Sequence, residues 1–184
     1  MSPPFALFRK QASPVFAVAV HHGHALRPEV AEWMALDEAV RLREEDPYTG
    51  RWARIAGSFA VANYSRFEVD LNRPPEQAVY ATPGEAWGLN VWKGELPEHV
   101  VRESRERHAE FFGELSEALD LCVRRFGHVV LLDLHSYNHR RDGPDSPPAH
   151  PSENPDINIG TGTMDRDYWD PVVTRFIRDL RSVR

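Results

Sequence analysis

An α/β layered fold is predicted by three observations. Short apolar runs rich in β-branched residues alternate with amphipathic helical stretches, and Pro or Gly marks each change of pattern. The chain has 184 residues, 41% of them apolar and 27% charged, with five Trp and nine Phe. That is enough apolar surface for one domain with a genuine core.

The elements follow in order. Pro14 and the run Val15–Val20 are apolar on both faces, as a central parallel strand requires. Residues 28–44 show a helical pattern through Val30, Trp33, Met34, Ala39, Val40 and Leu42, with Pro47 as a stop signal. Residues 57–64 predict a second strand, and Phe67-Glu68-Val69-Asp70-Leu71 alternates as a half-buried strand would. Residues 74–95, rich in Pro and Gly, predict a long irregular excursion and a candidate substrate lid. Residues 97–126 predict the longest helix, with Val100, Phe111, Leu115, Leu119 and Cys122 on its apolar stripe and Gly127 at its end. Val129–Leu134 reads as a second strongly buried strand, residues 140–156 as a loop, and Asp156–Gly160 as a third buried strand. A helix from about Asp170 to Val183 follows. There is no internal repeat.

Charge and composition narrow the function. A net charge of −6 argues against a nucleic-acid binder relying on a general phosphate-attracting field, but leaves room for a local basic pocket. The single cysteine, Cys122, excludes an intrachain disulfide and Cys-rich zinc motifs and reads as a core residue, so a reducing cytoplasm is the expected compartment. No apolar run approaches the roughly 18 residues of a membrane span, and Val15–Val20 is too brief for a signal sequence.

Two predicted buried strands end in histidine: one runs into His21-His22-Gly23-His24, the other into His135-Ser136-Tyr137. Ligand sites of open α/β sheets gather at the carboxyl ends of strands, and neutral imidazole suits Zn²⁺. A catalytic zinc usually takes three protein ligands, leaving one position open; a structural zinc is closed by four. Glu44-Glu45-Asp46 supplies carboxylate candidates for the third ligand, and His24 is the competing choice. Arg66 and Arg73, with Asn72 between them, could hold a carboxylate in a bidentate pair or stabilise an oxyanion, with Asp70 as a possible internal partner. Asp133, two residues before His135 and on the same strand face, could orient that imidazole. Ser136 lacks the Gly-x-Ser-x-Gly setting of a nucleophile.

His-x-Gly after the first strand, Ser-Arg-x-x-x-Asp-Leu-Asn-Arg at 65–73, Asp-Leu-His-Ser at 133–136 and Asn-Ile-Gly-Thr at 158–161 occur in register. Together they resemble the N-formylglutamate amidohydrolases over about residues 14–162. The Asp-Leu-Asn-Arg and His-Ser-Tyr elements are also similar to those of zinc carboxypeptidases and aspartoacylases. The resemblance implies a phosphorylase/hydrolase-like fold, a mixed central sheet flanked by helices on both faces. It implies one zinc per chain and hydrolysis of an N-acyl bond next to a carboxylate, hence a small anionic N-acyl amino acid as substrate. By position His21 and His135 match the metal histidines, and Asp46 best matches the acidic ligand, with Glu45 next. Arg66, Asn72 and Arg73 match the substrate-binding strand, and Arg73 would polarise the scissile carbonyl.

The chain departs from the pattern at Val20, where family members have Pro. Relatives also continue past Asn-Ile-Gly-Thr into a glycine-rich segment and a late glutamate, which serves as general base in related zinc peptidases. No residue here matches that base. Residues 1–184 are therefore expected to form a single domain without the C-terminal part of the family fold. A catalytically inactive zinc-containing module that binds an anionic amino-acid-like ligand is the alternative expectation.

Overall fold

The computed structural model describes residues 3–10, 12–140, 143–162 and 164–183. Two compact units are present, Met1–Asn138 and His139–Arg184.

The first unit is built on a four-stranded mixed sheet of order β1-β3-β2-β4. Its strands are β1 (Ala6–Arg9), β2 (Val15–Ala19), β3 (Ser58–Ala62) and β4 (Val130–Asp133). β2 is parallel to both neighbours, with Ala17 level with Phe59 on one side and Leu132 on the other, and β1 closes one edge antiparallel to β3. The runs read as strands at Val15 and Ser58 are the central pair, and both are almost wholly buried. β1 escapes the sequence pattern because four residues of alternating burial at an edge give little signal.

Helices cover both faces of the sheet. Phe16, Val18, Val20, Ala60 and Ala62 pack against Phe111, Leu115, Ala118 and Cys122 of the long helix α4 (Glu98–Phe126). The opposite face, Ala17, Ala19, Phe59 and Val61, packs against Ala53 of α3 (Thr49–Ala53) and Ala56 of the 3₁₀ turn that follows it. α4 buries Val100, Ser104, His108, Phe111, Leu115, Ala118 and Cys122, a three- and four-residue spacing that draws one stripe. It ends where Gly127 adopts φ 77° and donates its N–H to Val123 O.

Several expected elements differ. The helix expected over 28–44 is two helices, α1 (Pro28–Trp33) and α2 (Glu38–Glu44). Asp37 accepts from the Val40 N–H as the cap of a new helix, and so interrupts the pattern. The strand expected over 67–71 does not form. Glu68 N and Val69 N both bond to Ser65 O, a turn, and all five residues from Phe67 to Leu71 are buried. The alternation misled because Glu68 and Asp70, which a half-buried strand would turn to water, find partners inside.

β4 is an edge strand with alternating exposure, not a strongly buried one, and Leu131 is 44% exposed. The excursion over 74–95 is irregular apart from 3₁₀ turns at Pro75–Gln77 and Pro83–Ala86. Its Tyr80, Ala86 and Val91 join Val30, Met34, Phe67 and Val100 in a second apolar cluster, which anchors the segment.

In the second unit, the strand expected at Asp156–Gly160 is irregular backbone with Ile157 61% exposed. α5 (Arg166–Ser182) begins earlier than expected. Asp165 caps it by accepting from the Tyr168 N–H, and Pro171 lies inside the helix.

Candidate metal centre

β2 and β4 are parallel neighbours, so their carboxyl ends coincide. Val18 pairs with Asp133, and Leu134 N continues the ladder to Val18 O at 2.9 Å. His21 and His135, just beyond, stand together with ring centroids 5.0 Å apart. Asp46 is fixed to the same place by its backbone, since its N–H donates to His21 O at 2.9 Å. Thr49 Oγ1 donates to Asp46 O at 2.7 Å and holds the following turn.

Among the described residues, His21, Asp46 and His135 form a group able to hold a metal ion, each offering one ligand atom within 4.8 Å of the others. His21 Nδ1 lies 3.4 Å and His135 Nδ1 2.8 Å from the same Asp46 oxygen, Oδ2. Glu45 and His24, the competing ligands, are drawn elsewhere. His24 Nδ1 is 2.5 Å from Glu45 Oε2, while Ser65 Oγ donates to Glu45 Oε1 at 2.5 Å.

Each histidine has a carboxylate behind it. His21 Nε2 sits 2.6 Å from Asp70 Oδ1 and His135 Nε2 3.2 Å from Asp133 Oδ2. A carboxylate accepting the Nε2 proton leaves Nδ1 with its lone pair free. His21 Nδ1 is in fact buried without a hydrogen-bond partner. Buried polar atoms are ordinarily paired, so an unpaired imidazole nitrogen aimed between two other ligand groups fits a cation. The donor set, two imidazoles and one carboxylate, fits zinc.

The electrostatics agree with a tight cluster. Burial pushes Asp46 up, but the hydrogen bond with His135 and the close His21 ring outweigh it and hold the carboxyl at about 2. Hydrogen bonds to Asp133 and Asp46 raise His135 to about 9. Burial likewise opposes ionisation of Asp70, yet His21, Arg66 and Tyr80 keep it well below the usual carboxylate range.

The arginines converge on Asp70. Arg66 Nη2 donates to Asp70 Oδ2 at 2.9 Å, and its Nη1 and Nε donate to Glu44 O and Tyr80 Oη. Arg73 Nε lies 3.4 Å from Asp70 Oδ2, and its Nη2 donates to Glu85 O at 2.6 Å. Asn72 is exposed and meets Asp70 through its backbone N–H at 2.9 Å. These residues occupy a loop, not the substrate-binding strand expected for them, and Asp70 is partner to both arginines and to His21. Sequence reasoning missed Tyr80, whose hydroxyl donates to Asp70 Oδ2 at 2.5 Å. Nothing in the irregular segment that carries Tyr80 marks it out.

The glycine of His-x-Gly has a steric cause. A Cβ on Gly23 would lie 2.2 Å from Asn63 C and 2.3 Å from Tyr64 N, so only glycine allows the backbone contact that seats the 63–65 segment beside the histidine turn. The Asn158–Thr161 motif lies in the second unit.

The N-formylglutamate amidohydrolase family model matches residues 13–184. An N-formylglutamate deformylase of Pseudomonas putida is 31% identical over 171 residues, covering 84% of this chain and 61% of that protein. The chain thus spans 61% of the length of that curated relative. The crystal structure of an N-formylglutamate amidohydrolase from Ralstonia eutropha JMP134 shares the fold, with a TM-score of 0.60 at 18% identity over 73% of this chain and 57% of that one.

Proposed function

The chain belongs to the N-formylglutamate amidohydrolase family, and from that premise we propose that it hydrolyses the amide bond of an N-acyl amino acid of the N-formyl type, using one zinc ion. His21, Asp46 and His135 would hold the ion. The observation that carries this reading is the buried, unpartnered Nδ1 of His21 facing Asp46 and His135. Zinc bound there would supply Lewis acidity and a nucleophilic water near neutral pH.

The chain's own residues supply the rest. Asp70 and Asp133 hold the Nε2 protons of His21 and His135 and so present Nδ1 of both rings to the centre. Arg66 and Arg73 supply the cationic wall for an anionic substrate and Asn72 a neutral amide beside it, and Arg73 polarises the scissile carbonyl by facing the negative charge that develops on its oxygen. The products are a carboxylate such as formate and a free amine. Cytoplasm is the compartment proposed for this reaction; none of the helices is long and apolar enough to cross a membrane among the described residues.

The test is metal analysis of wild type beside His135→Ala, followed by assay of zinc-loaded protein against N-formylglutamate and other N-acyl amino acids. Stoichiometric zinc in wild type, its loss in His135→Ala, and turnover above buffer are expected. Full zinc retention in the variant would remove the proposed centre. Ligand binding without any turnover would replace the hydrolase with an inactive binding module.

A further inference from the structure

We infer that His108, on α4, is a positioning residue for Arg73 and acts through the Arg73 backbone. The inference rests on the amidohydrolase reading only for the role given to Arg73.

His108 is 4% exposed, and its Nε2 lies 2.9 Å from Arg73 O. A carbonyl only accepts, so Nε2 carries the proton and donates it. The other ring nitrogen, Nδ1, is buried with no hydrogen-bond partner. The ring lies against Phe112, with centroids 4.7 Å apart, on a stripe that is otherwise mostly apolar. Leucine or phenylalanine would fill this space without burying an unpaired ring nitrogen, but would offer Arg73 O no donor. What offsets that cost is the bond to Arg73.

The backbone around Arg73 needs an outside donor. Pro74 and Pro75 follow it, and neither has an N–H to offer. α4 supplies the donors instead. Arg105 Nη2 donates to Glu76 O at 3.0 Å, and His108 donates to Arg73 O. Two side chains three residues apart on one helix face thus meet two carbonyls three residues apart in the loop.

The Arg73 side chain needs this precision. Its Nε faces Asp70, its Nη2 holds Glu85 O, and its Cζ lies 4.8 Å from the centroid of the Tyr80 ring. Moving the Arg73 backbone would carry the guanidinium off all three. Misplacing a group at a reacting centre by roughly 1 Å can cost about 10²-fold in rate.

The experiment compares His108→Leu and His108→Gln. Leucine removes the donor, whereas the Gln amide nitrogen reaches about as far as Nε2. Wild-type zinc content is expected in both, with kcat/KM down at least ~10-fold in the Leu variant and restored to within ~3-fold of wild type in the Gln variant. If the Leu variant does not fold, His108→Asn, whose amide ends one atom short, takes its place with the same expectation. Wild-type kcat/KM in the donor-less variant, or a Gln variant as impaired as it, would overturn the inference.

A second readout needs no turnover. The Arg73 Nε–H signal in ¹⁵N-arginine spectra, assigned by its loss in Arg73→Lys, should be sharp and slow to exchange in wild type and His108→Gln. It should broaden in the donor-less variant; an unchanged signal there would overturn the inference even if the amidohydrolase reading itself had failed.

Discussion

Replacing Asp70 with Asn tests the scaffold of the proposed centre most directly. Asp70 is fully buried, and His21 Nε2, Tyr80 Oη, Arg66 Nη2, Asn72 N and Arg73 Nε all surround its two oxygens. Asn keeps the shape but loses the charge, and turns one acceptor into a donor facing donors. Breaking a buried ion pair by removing one partner costs about 3–5 kcal/mol. Arg66 and Arg73 retain some solvent contact, with side chains 12% and 23% exposed. They can recover part of that loss, so the lower end, about 3 kcal/mol, is expected for the metal-free protein. Losing the carboxylate behind a metal-ligating histidine costs a further ~10–100-fold in metal affinity.

Urea unfolding in chelator reads the first effect, and zinc competition titration reads the second. The sign with pH is also set. Because the folded Asp70 carboxyl is held below its unfolded value, its stabilisation is present above pH ~4 and is lost as the pH falls through the folded value. The gap between wild type and Asp70→Asn should therefore stay constant from neutral pH down to about 5 and shrink in strong acid. Stability within about 1 kcal/mol of wild type, with zinc affinity within about threefold, would refute the reasoning.

Zinc affinity should rise about tenfold per pH unit between pH ~7 and ~9, because His135, raised to about 9, must lose a proton to become a ligand; a flat profile in competition titrations would contradict this. Gly23→Ala should cost at least ~3 kcal/mol or prevent folding, since the new Cβ meets backbone and not a side chain that can move; a wild-type melting temperature would disprove the close approach. Arg27→Met should destabilise by about 3–5 kcal/mol by leaving Glu68, fully buried and bonded to Arg27 N and Nε, without its partner. Adding Glu68→Leu should restore more than half of that loss, and strict additivity in the double-mutant cycle would sink the pairing argument.

The central strands, the long helix with its Gly127 stop, and the two histidines were legible in the sequence, because each rests on local chemistry. Val15–Val20 is apolar on both faces, α4 carries a three- and four-residue stripe, and glycine alone takes φ 77° cheaply. His21 and His135 were legible for the same reason: each follows a run that reads as a strand. Two of the failures share one cause. Phe67–Leu71 read as a half-buried strand because Glu68 and Asp70 look like solvent-facing residues, and Asp37 concealed a helix break inside a continuous apolar pattern.

By itself the sequence determined which residues could serve a metal and that the runs at Val15 and Ser58 would be buried, since residue type and spacing are local properties. The family resemblance put Asp46 ahead of Glu45, but only the tertiary structure shows why Asp46 is the carboxylate that meets the histidines. Glu45 and Asp46 are adjacent and chemically alike. Asp46 donates its backbone N–H to His21 O, which turns it toward the paired ends of β2 and β4, while Glu45 is taken by His24 and Ser65. That choice depends on one backbone and two side-chain hydrogen bonds between residues 20 or more positions apart, and residue type alone does not distinguish the two carboxylates.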